Sequence, residues 1–460
     1  MNAAIILIAI AGLAAIGWLA GRARAASFER EAKPGRRPHS LPFYHGWFVA
    51  LWTAVPALLF LAIWSWASPA IVTDAVLASP AAQGLTTDPA ERAALLSEGR
   101  ALAAGQLPGA FTEAGAKLAP AYAAAQAHFN LIATILAAIL VFAGGAYAFT
   151  RLRPDFRART RVERIVMAGL LVASLIAILT TIGIVASLLF ETFRFFSMVS
   201  PIDFLFGLRW SPQSSVIPGQ PNQFGAVPLF WGTIFIGVII AMIVAIPLGL
   251  MSAVYLTQYA PARVRKWMKP VLEMLAGVPT VVYGYFAALT VAPALRSFAS
   301  LVGIPGASSE SALAAGLVMG IMIIPFVSSM ADDSITAVPS AMRDGSLAMG
   351  ATQSETIRKV LIPAALPGVV GGVLLAVSRA IGETMIVVMA AGLAANLTAN
   401  PFASVTTVTT QIVQLLTGDQ EFDSPKTLAA FALGLVLFIV TLLLNIVALR
   451  VVKKYREAYD

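Results

Sequence analysis

Nine apolar stretches, each about as long as a helix needs to be to cross a bilayer core, leave this chain few options. They lie near residues 3–20, 46–67, 129–149, 165–190, 228–255, 271–294, 312–331, 368–395 and 428–450. In lipid every backbone polar group needs an internal partner, and a helix supplies it within the segment. The expected fold is therefore all-α, a polytopic membrane protein of about nine transmembrane helices. The chain is 58% hydrophobic and 12% charged, and its 35 Gly and 27 Pro suit membrane helices, whose neighbours can satisfy a broken ladder. With no cysteine there is no disulfide or thiolate chemistry, and His39, His45 and His128 are too scattered for a metal cluster, so no metal site is expected.

Charge placement gives an orientation. With the loop after the first span inside, 23 of the 31 Arg and Lys fall on one side of the membrane. The positive-inside rule then sets the amino terminus outside and the carboxyl terminus in the cytoplasm. The net charge of +8 is a topology signal, and no nucleic-acid partner is expected. Ala23-Arg24-Ala25-Ala26 loosely resembles a signal-peptidase site, but no positive residue precedes the apolar run and six follow it, so the first span is expected to stay as an anchor. Cleavage would leave eight spans.

Residues 1–160 read as an amino-terminal extension with about three spans and an alanine-rich outside segment at about 69–128. Within that segment Asp88, Pro89 and Glu91 are start signals for a helix, which serves either as a docking element or as a solvated spacer. The basic run RLRPDFRARTRVER closes the extension, and residues 161–460 form a six-span core. The core opens on an aromatic stretch from Phe193 to Trp210, expected in the membrane interface. Gly277, Pro279 and Gly284 predict an interrupted helix around Thr280, as a packing kink or as the lining of a pathway. From 334 to 367 the chain is long and polar between spans. Gly350 allows a sharp turn, Thr352 and Glu355 fit a capping box, and Pro363 and Pro367 are expected to stop the helix that follows. The result would be a stiff helical hairpin outside the membrane, a docking element or a plain connector.

Arg379 and Glu383 are ionisable residues in an apolar run. An arginine or acid at a membrane helix centre costs about 2.5–3.5 kcal/mol, so such groups pair or face a polar path. Four residues apart, they are expected on one helix face. The arginine offers a planar fork of donors suited to phosphate oxygens, and the carboxylate could accept a hydrogen bond from a P–OH group that sulfate lacks at neutral pH. Ser378 and Thr384 flank them. A buried structural ion pair is the alternative.

Three motifs occur in order. Asp344-Gly345-Ser346, Gly350, then Val360, Ile362 and Pro363 resemble the EAA loop of ABC-importer permeases, with Asp and Gly-Ser at its start in place of Glu and Ala-Ala. Leu275 to Gly284, LAGVPTVVYG, and Ser378 to Met385, SRAIGETM, resemble the phosphate-specific permeases, and most the PstC type. The resemblance covers roughly 165–455. It implies a type I importer permease with Asp344, Gly345, Ser346, Gly350, Glu355, Ile362 and Pro363 in the ATPase coupling loop. Arg379, Glu383, Ser378 and Thr384 would lie on a phosphate pathway, beside the helix break at Gly277, Pro279, Thr280 and Gly284.

It also implies a PstA-type permease partner, a pair of PstB-type ATPases, a PstS-type periplasmic phosphate-binding protein and a link to a phosphate-signalling sensor kinase. The location implied is the bacterial inner membrane. No G-x-x-x-x-G-K-[ST] occurs, so the chain is expected not to be an enzyme, and ATP with Mg would be bound by the partner ATPase. The expected activity is high-affinity phosphate import by alternating access. A sulfate or molybdate permease and a phosphate-status sensor or scaffold are the alternatives. H-E-x-x-H is absent, which sets an intramembrane enzyme last.

Overall fold

The computed structural model describes residues 3–30, 39–86, 88–212, 223–304, 306–417 and 423–456; Lys33, Arg36 and Arg37, which enter the charge count, fall outside them. Among the described residues, nine helical rods are long and apolar enough to cross a membrane. The chain forms two compact units, Met1–Leu179 and Thr180–Asp460, divided within one helix rather than at the basic turn before it.

The first unit holds α1 (Ala3–Arg30), α2 (Pro42–Leu77), α3 (Pro89–Ala103), α4 (Glu113–Thr150) and the start of α5 (Ala158–Phe196). At 36 and 38 residues, α2 and α4 are longer than a bilayer core requires, so much of 69–128 is the projecting ends of these two helices. Small residues set their packing. A side chain on Gly144 would overlap the carbonyl of Trp52, and one on Gly46 would crowd Trp18, so both positions mark close helix crossings. Helix α3 starts as its residues predict, with the Asp88 carboxylate accepting from Ala90 N at 3.0 Å and Pro89 in the first turn. Near its end Glu98 accepts from Phe111 N at 2.6 Å, Thr112 N at 2.9 Å and the Thr112 hydroxyl at 2.7 Å. That hydroxyl in turn accepts from Gly115 N at 3.0 Å, capping α4.

The second unit continues α5 and adds α6 (Pro201–Phe206) and α7 (Val227–Thr233). A π-helical turn at Ile234–Ile240 joins α7 to α8 (Ala241–Val254), which ends in a second π turn at Tyr255–Tyr259. Next come α9 (Ala262–Ala276), α10 (Thr280–Phe286), a π turn at Ala287–Val291, and α11 (Ala292–Leu301). Helix α12 (Ala312–Thr336) leads to the short α13 (Ser340–Ala348) and α14 (Gln353–Thr356). A π turn at Ile357–Leu361 carries α14 into α15 (Ile362–Ile381), followed by α16 (Met385–Ala390), α17 (Val408–Leu416) and α18 (Pro425–Arg456).

Helix α12 is the centre of this unit, the most buried of the nine rods. Its Gly316 and Gly320 sit against Ile240 and Val244, where an added Cβ would overlap the neighbour, and Gly372 of α15 meets Met330 in the same way. Val318, Met319, Met322 and Ile323 fill the core between these contacts.

Three expectations need correction. The sixth span runs Thr280–Leu301 rather than 271–294, because Val271 to Ala276 belong to the amphipathic α9. Pro363 and Pro367 do not end a helix. The rod is continuous from Gln353 to Ile381, and the polar connector shrinks to the residues between α12 and α14. A proline ring clashes with the carbonyl four residues back and removes one hydrogen bond. The wider π turn just before Pro363 relieves both faults, and the π turn before Pro293 repeats the arrangement. Third, the aromatic stretch is not wholly interfacial. Phe193 and Phe206 are exposed, whereas Phe195 and Phe204 are fully buried with their rings 5.2 Å apart.

Substituting Gly320→Val should overfill the α8–α12 crossing at a cost of about 1–3 kcal/mol. A lower thermal unfolding midpoint in detergent checks this, and an unchanged midpoint would mean the crossing is loose. Glu98 has a second consequence. Its hydrogen bond from the Thr112 hydroxyl, more than any other contact, holds its carboxyl below the ordinary carboxylate value. A depressed carboxyl contributes stability that is present above its unfolded value and is lost as pH falls through its lower folded value. Glu98→Gln should therefore unfold earlier than the native chain at neutral pH, and the two midpoints should converge in acid. A gap that ignores pH would count against this account.

Candidate functional site

Each of the two motif segments of the core contains a helix break. Helix α9 stops at Ala276, Gly277 and Pro279 lie exposed in the break, and α10 begins at Thr280. The Tyr283 hydroxyl donates across the break to the Leu275 carbonyl at 2.9 Å, which also accepts from Val278 N at 3.3 Å. Gly284 is no part of the break. It lies buried in α10 where a Cβ would come within 3.0 Å of the Met385 carbonyl, so its lack of a side chain lets α10 press on α16.

The second break follows Arg379. Helix α15 ends at Ile381, so Glu383 stands outside it and the shared helix face expected from a spacing of four does not form. The Glu383 carboxylate instead accepts from Met385 N at 3.1 Å, at the start of α16, and its main-chain carbonyl accepts from the Thr409 hydroxyl at 2.8 Å. Thr384 donates to Gly382 O at 3.3 Å, and Ser378 is half-buried. Arg379 is exposed on the surface of this chain. Its contacts are to α12, with Nη2 4.0 Å from the Met322 sulfur and Cζ 6.0 Å from the centre of the Phe326 ring. Those two residues flank the midpoint of α12, which sets the guanidinium level with the middle of that helix. No carboxylate pairs with it among the described residues.

Around the Glu383 carbonyl the sequence reading missed a buried polar network. Thr407 contacts the hydroxyls of Thr409 and Thr410, each at 3.0 Å, and the Thr233 hydroxyl accepts from Val408 N at 3.1 Å. Gln411 donates to the Thr406 hydroxyl at 3.2 Å and accepts from the Trp210 indole at 2.8 Å. The signal was available in TTVTTQ, where four threonines flank a single valine.

At the opposite end of α12, the connector forms the expected hairpin. Asp344, Gly345 and Ser346 lie in α13, with Asp344 and Gly345 exposed. Gly350 takes φ +87°, and Thr352 and Glu355 complete a reciprocal capping box. Ser346 and Thr356 bond at 2.9 Å across the hairpin, and the Gln353 amide donates to the Gln258 carbonyl at 2.7 Å. Met349 at the tip is 88% exposed, an apolar side chain on a polar element. Ile362 and Pro363 stand apart from the hairpin, inside α15.

A buried carboxylate ties this end together. Asp332 of α12 accepts from Arg265 at 3.1 Å and Lys269 at 2.6 Å, both on α9, and its side chain is only 7% exposed. The hydrogen bond to Asp332 holds the Lys269 ammonium above its ordinary value.

Residues 245–457 match a family described as the binding-protein-dependent transport system inner membrane component. Residues 5–180 match one described as a phosphate ATP-binding cassette transporter. The probable ABC transporter permease protein YqgH of Bacillus subtilis is 33% identical over 245 residues, covering 53% of this chain and 75% of the relative. The chain belongs to the ABC-transporter permease family. The phosphate transport system permease protein PstC of Mesorhizobium japonicum is 32% identical over 297 residues, or 60% of this chain and 86% of the relative. Among solved structures, an inward-facing form of the MetNI methionine ABC transporter aligns over 50% of this permease and 94% of its own chain, at 19% identity and a TM-score of 0.36.

Replacing Asp332 by Ala would leave two cations of this permease without their carboxylate. The pair is buried on one side only, so the loss should be about 1–3 kcal/mol, less than for a fully buried triad. Thermal unfolding of Asp332→Ala checks this, and Asp332→Asn should recover part of the difference by keeping one hydrogen bond.

Proposed function

We propose that this permease carries inorganic phosphate inward across a bacterial inner membrane as one subunit of an ATP-driven importer. The observation that carries the reading is Arg379, a guanidinium level with the midpoint of α12, exposed on this chain and without a carboxylate partner among the described residues. Facing lipid it would be costly, so it calls for a second subunit or a wet path on that side. A helix that breaks at midmembrane exposes backbone groups, which are tolerated where they line a cavity. Phosphate fits both groups at the break: its oxygens suit the arginine fork, and its P–OH has an acceptor in the Glu383 carboxylate. A fully deprotonated oxyanion would meet that carboxylate as like charge.

The remaining parts follow the same reading. A second, PstA-type permease closes the path, and a PstS-type binding protein delivers phosphate from the periplasm. Two PstB-type ATPases, holding ATP and Mg, dock at the α13–α14 hairpin, where exposed Asp344 and Met349 present a polar face with an apolar tip. The capping box, the Ser346–Thr356 bond and the unbroken rod from α14 to α15 make the hairpin stiff enough to transmit displacement toward Arg379. ATP binding draws the hairpins together and opens the path outward, and hydrolysis returns it. The amino terminus is outside, as the positive-inside rule requires.

Labelled phosphate uptake at low external phosphate, in cells lacking this chain and their other phosphate carriers, tests the reading. The native chain should restore uptake that excess sulfate or molybdate does not block. Arg379→Gln should lower uptake at least tenfold at equal membrane levels, the loss expected when about 1.4 kcal/mol or more of charge-assisted bonding is removed. Competition by sulfate or molybdate would move the substrate to another oxyanion. Equal uptake with and without the chain would remove the transport assignment.

A further inference from the structure

The turn that joins α4 to α5 gathers chemistry that the transport path does not use. A cleft of about 220 Å³ opens there, lined by Phe48 and Trp52 of α2, Tyr147 and Arg151 at the end of α4, and Arg161 and Arg164 of α5. Its floor is held in place. The Phe48 ring lies 4.8 Å from that of Phe156, and the Trp52 ring lies 4.9 Å from that of Tyr147, because Gly144 lets α4 touch the backbone of α2 at Trp52. Arg151 stacks over Tyr147 with Cζ 5.1 Å from the ring centre, a contact that positions the guanidinium and leaves its N–H fork free.

The charge in the cleft is uncompensated. Arg159, on the same turn of α5, pairs with Glu163 at 2.6 Å, whereas Arg151, Arg161 and Arg164 make no ion pair among the described residues. Three guanidiniums around one cleft repel one another until an anion joins them, and a phosphate group matches their planar forks. The other wall is apolar. Ile165 lines the cleft, and four and seven residues further along the same face of α5 come Gly169, where a Cβ would meet nothing within 4 Å, and exposed Val172. A cationic pocket lined by tryptophan and tyrosine, with a bare apolar helix leading away, has the layout of a membrane interface.

We propose that this cleft binds the headgroup of an anionic phospholipid, with the phosphodiester on Arg151, Arg161 and Arg164 and an acyl chain along α5 past Ile165 and Val172. The apolar wall favours a lipid over free phosphate, which has nothing to place there. The site is separate from Arg379 and does not depend on which solute the permease carries.

The test uses the full-length chain, delipidated in detergent, with bound lipid counted by native mass spectrometry during titration with phosphatidylglycerol or phosphatidylcholine of the same acyl chains. The native chain should retain phosphatidylglycerol at least about tenfold better, given the attraction of basic residues for an anionic headgroup. Arg161→Gln with Arg164→Gln should abolish the preference while leaving the unfolding midpoint in phosphatidylcholine unchanged. Arg153→Gln with Arg157→Gln, on the same basic turn but outside the cleft, should keep it. The proposal falls if both double variants lose the preference equally, which would mean a diffuse surface potential. It also falls if the native chain binds the two lipids alike, or if millimolar inorganic phosphate displaces the phosphatidylglycerol.

Discussion

Close approach of neighbouring helices at glycines along α12 is what the rest of the permease unit depends on. Helices in lipid gain little from burying apolar side chains against one another, since lipid tails are equally apolar. What draws them together is near approach, and Gly316, Gly320 and Gly372 allow it on two sides of one helix. Once α8 and α15 are held to α12, the C-terminal end of α15 has a fixed depth. That depth is what sets Arg379 beside Met322 and Phe326 rather than at a membrane surface.

With the scaffold fixed by packing, the helix breaks can be open without being loose. At each, a side chain from another turn or element donates to a carbonyl beside the break. Tyr283 serves Leu275 and Thr409 serves Glu383, and in the connector between α16 and α17 the Trp231 indole likewise serves Thr398 at 2.8 Å. The donors are hydroxyls and an indole, neutral groups that satisfy a carbonyl without adding charge to the interior. Arg379 thus keeps a charge that no carboxylate pairs with among the described residues, which is a condition for it to act on an anion.

How much of this was legible in the sequence depended on distance along the chain. The nine rods, the Asp88 cap, the Thr352–Glu355 box and the break at Gly277–Pro279 are all local, decided by residues within one or two turns. Arg379 stood out because a charge in an apolar run is costly wherever the run packs. Its relation to Glu383 did not, since a spacing of four implies a shared face only if the helix continues, and here it ends at Ile381. Pro363 misled for a related reason, because a π turn can absorb a proline and single-residue propensities carry no sign of one. The Asp332 clamp, whose partners lie more than sixty residues away, has no local signature at all.

The π turn at Ile357–Leu361 carries one residue more than an α-helical turn would need, and so it offsets the phase of everything beyond it. Closing that turn into plain α-helix with all its residues kept would rotate α15 by about 100° relative to the hairpin, whereas deleting one residue as it closes would largely restore the phase. The direction in which Arg379 points is therefore written into backbone winding several turns away, at a place that touches neither the solute nor the guanidinium. A change in that winding would re-aim the arginine without altering a single residue around it.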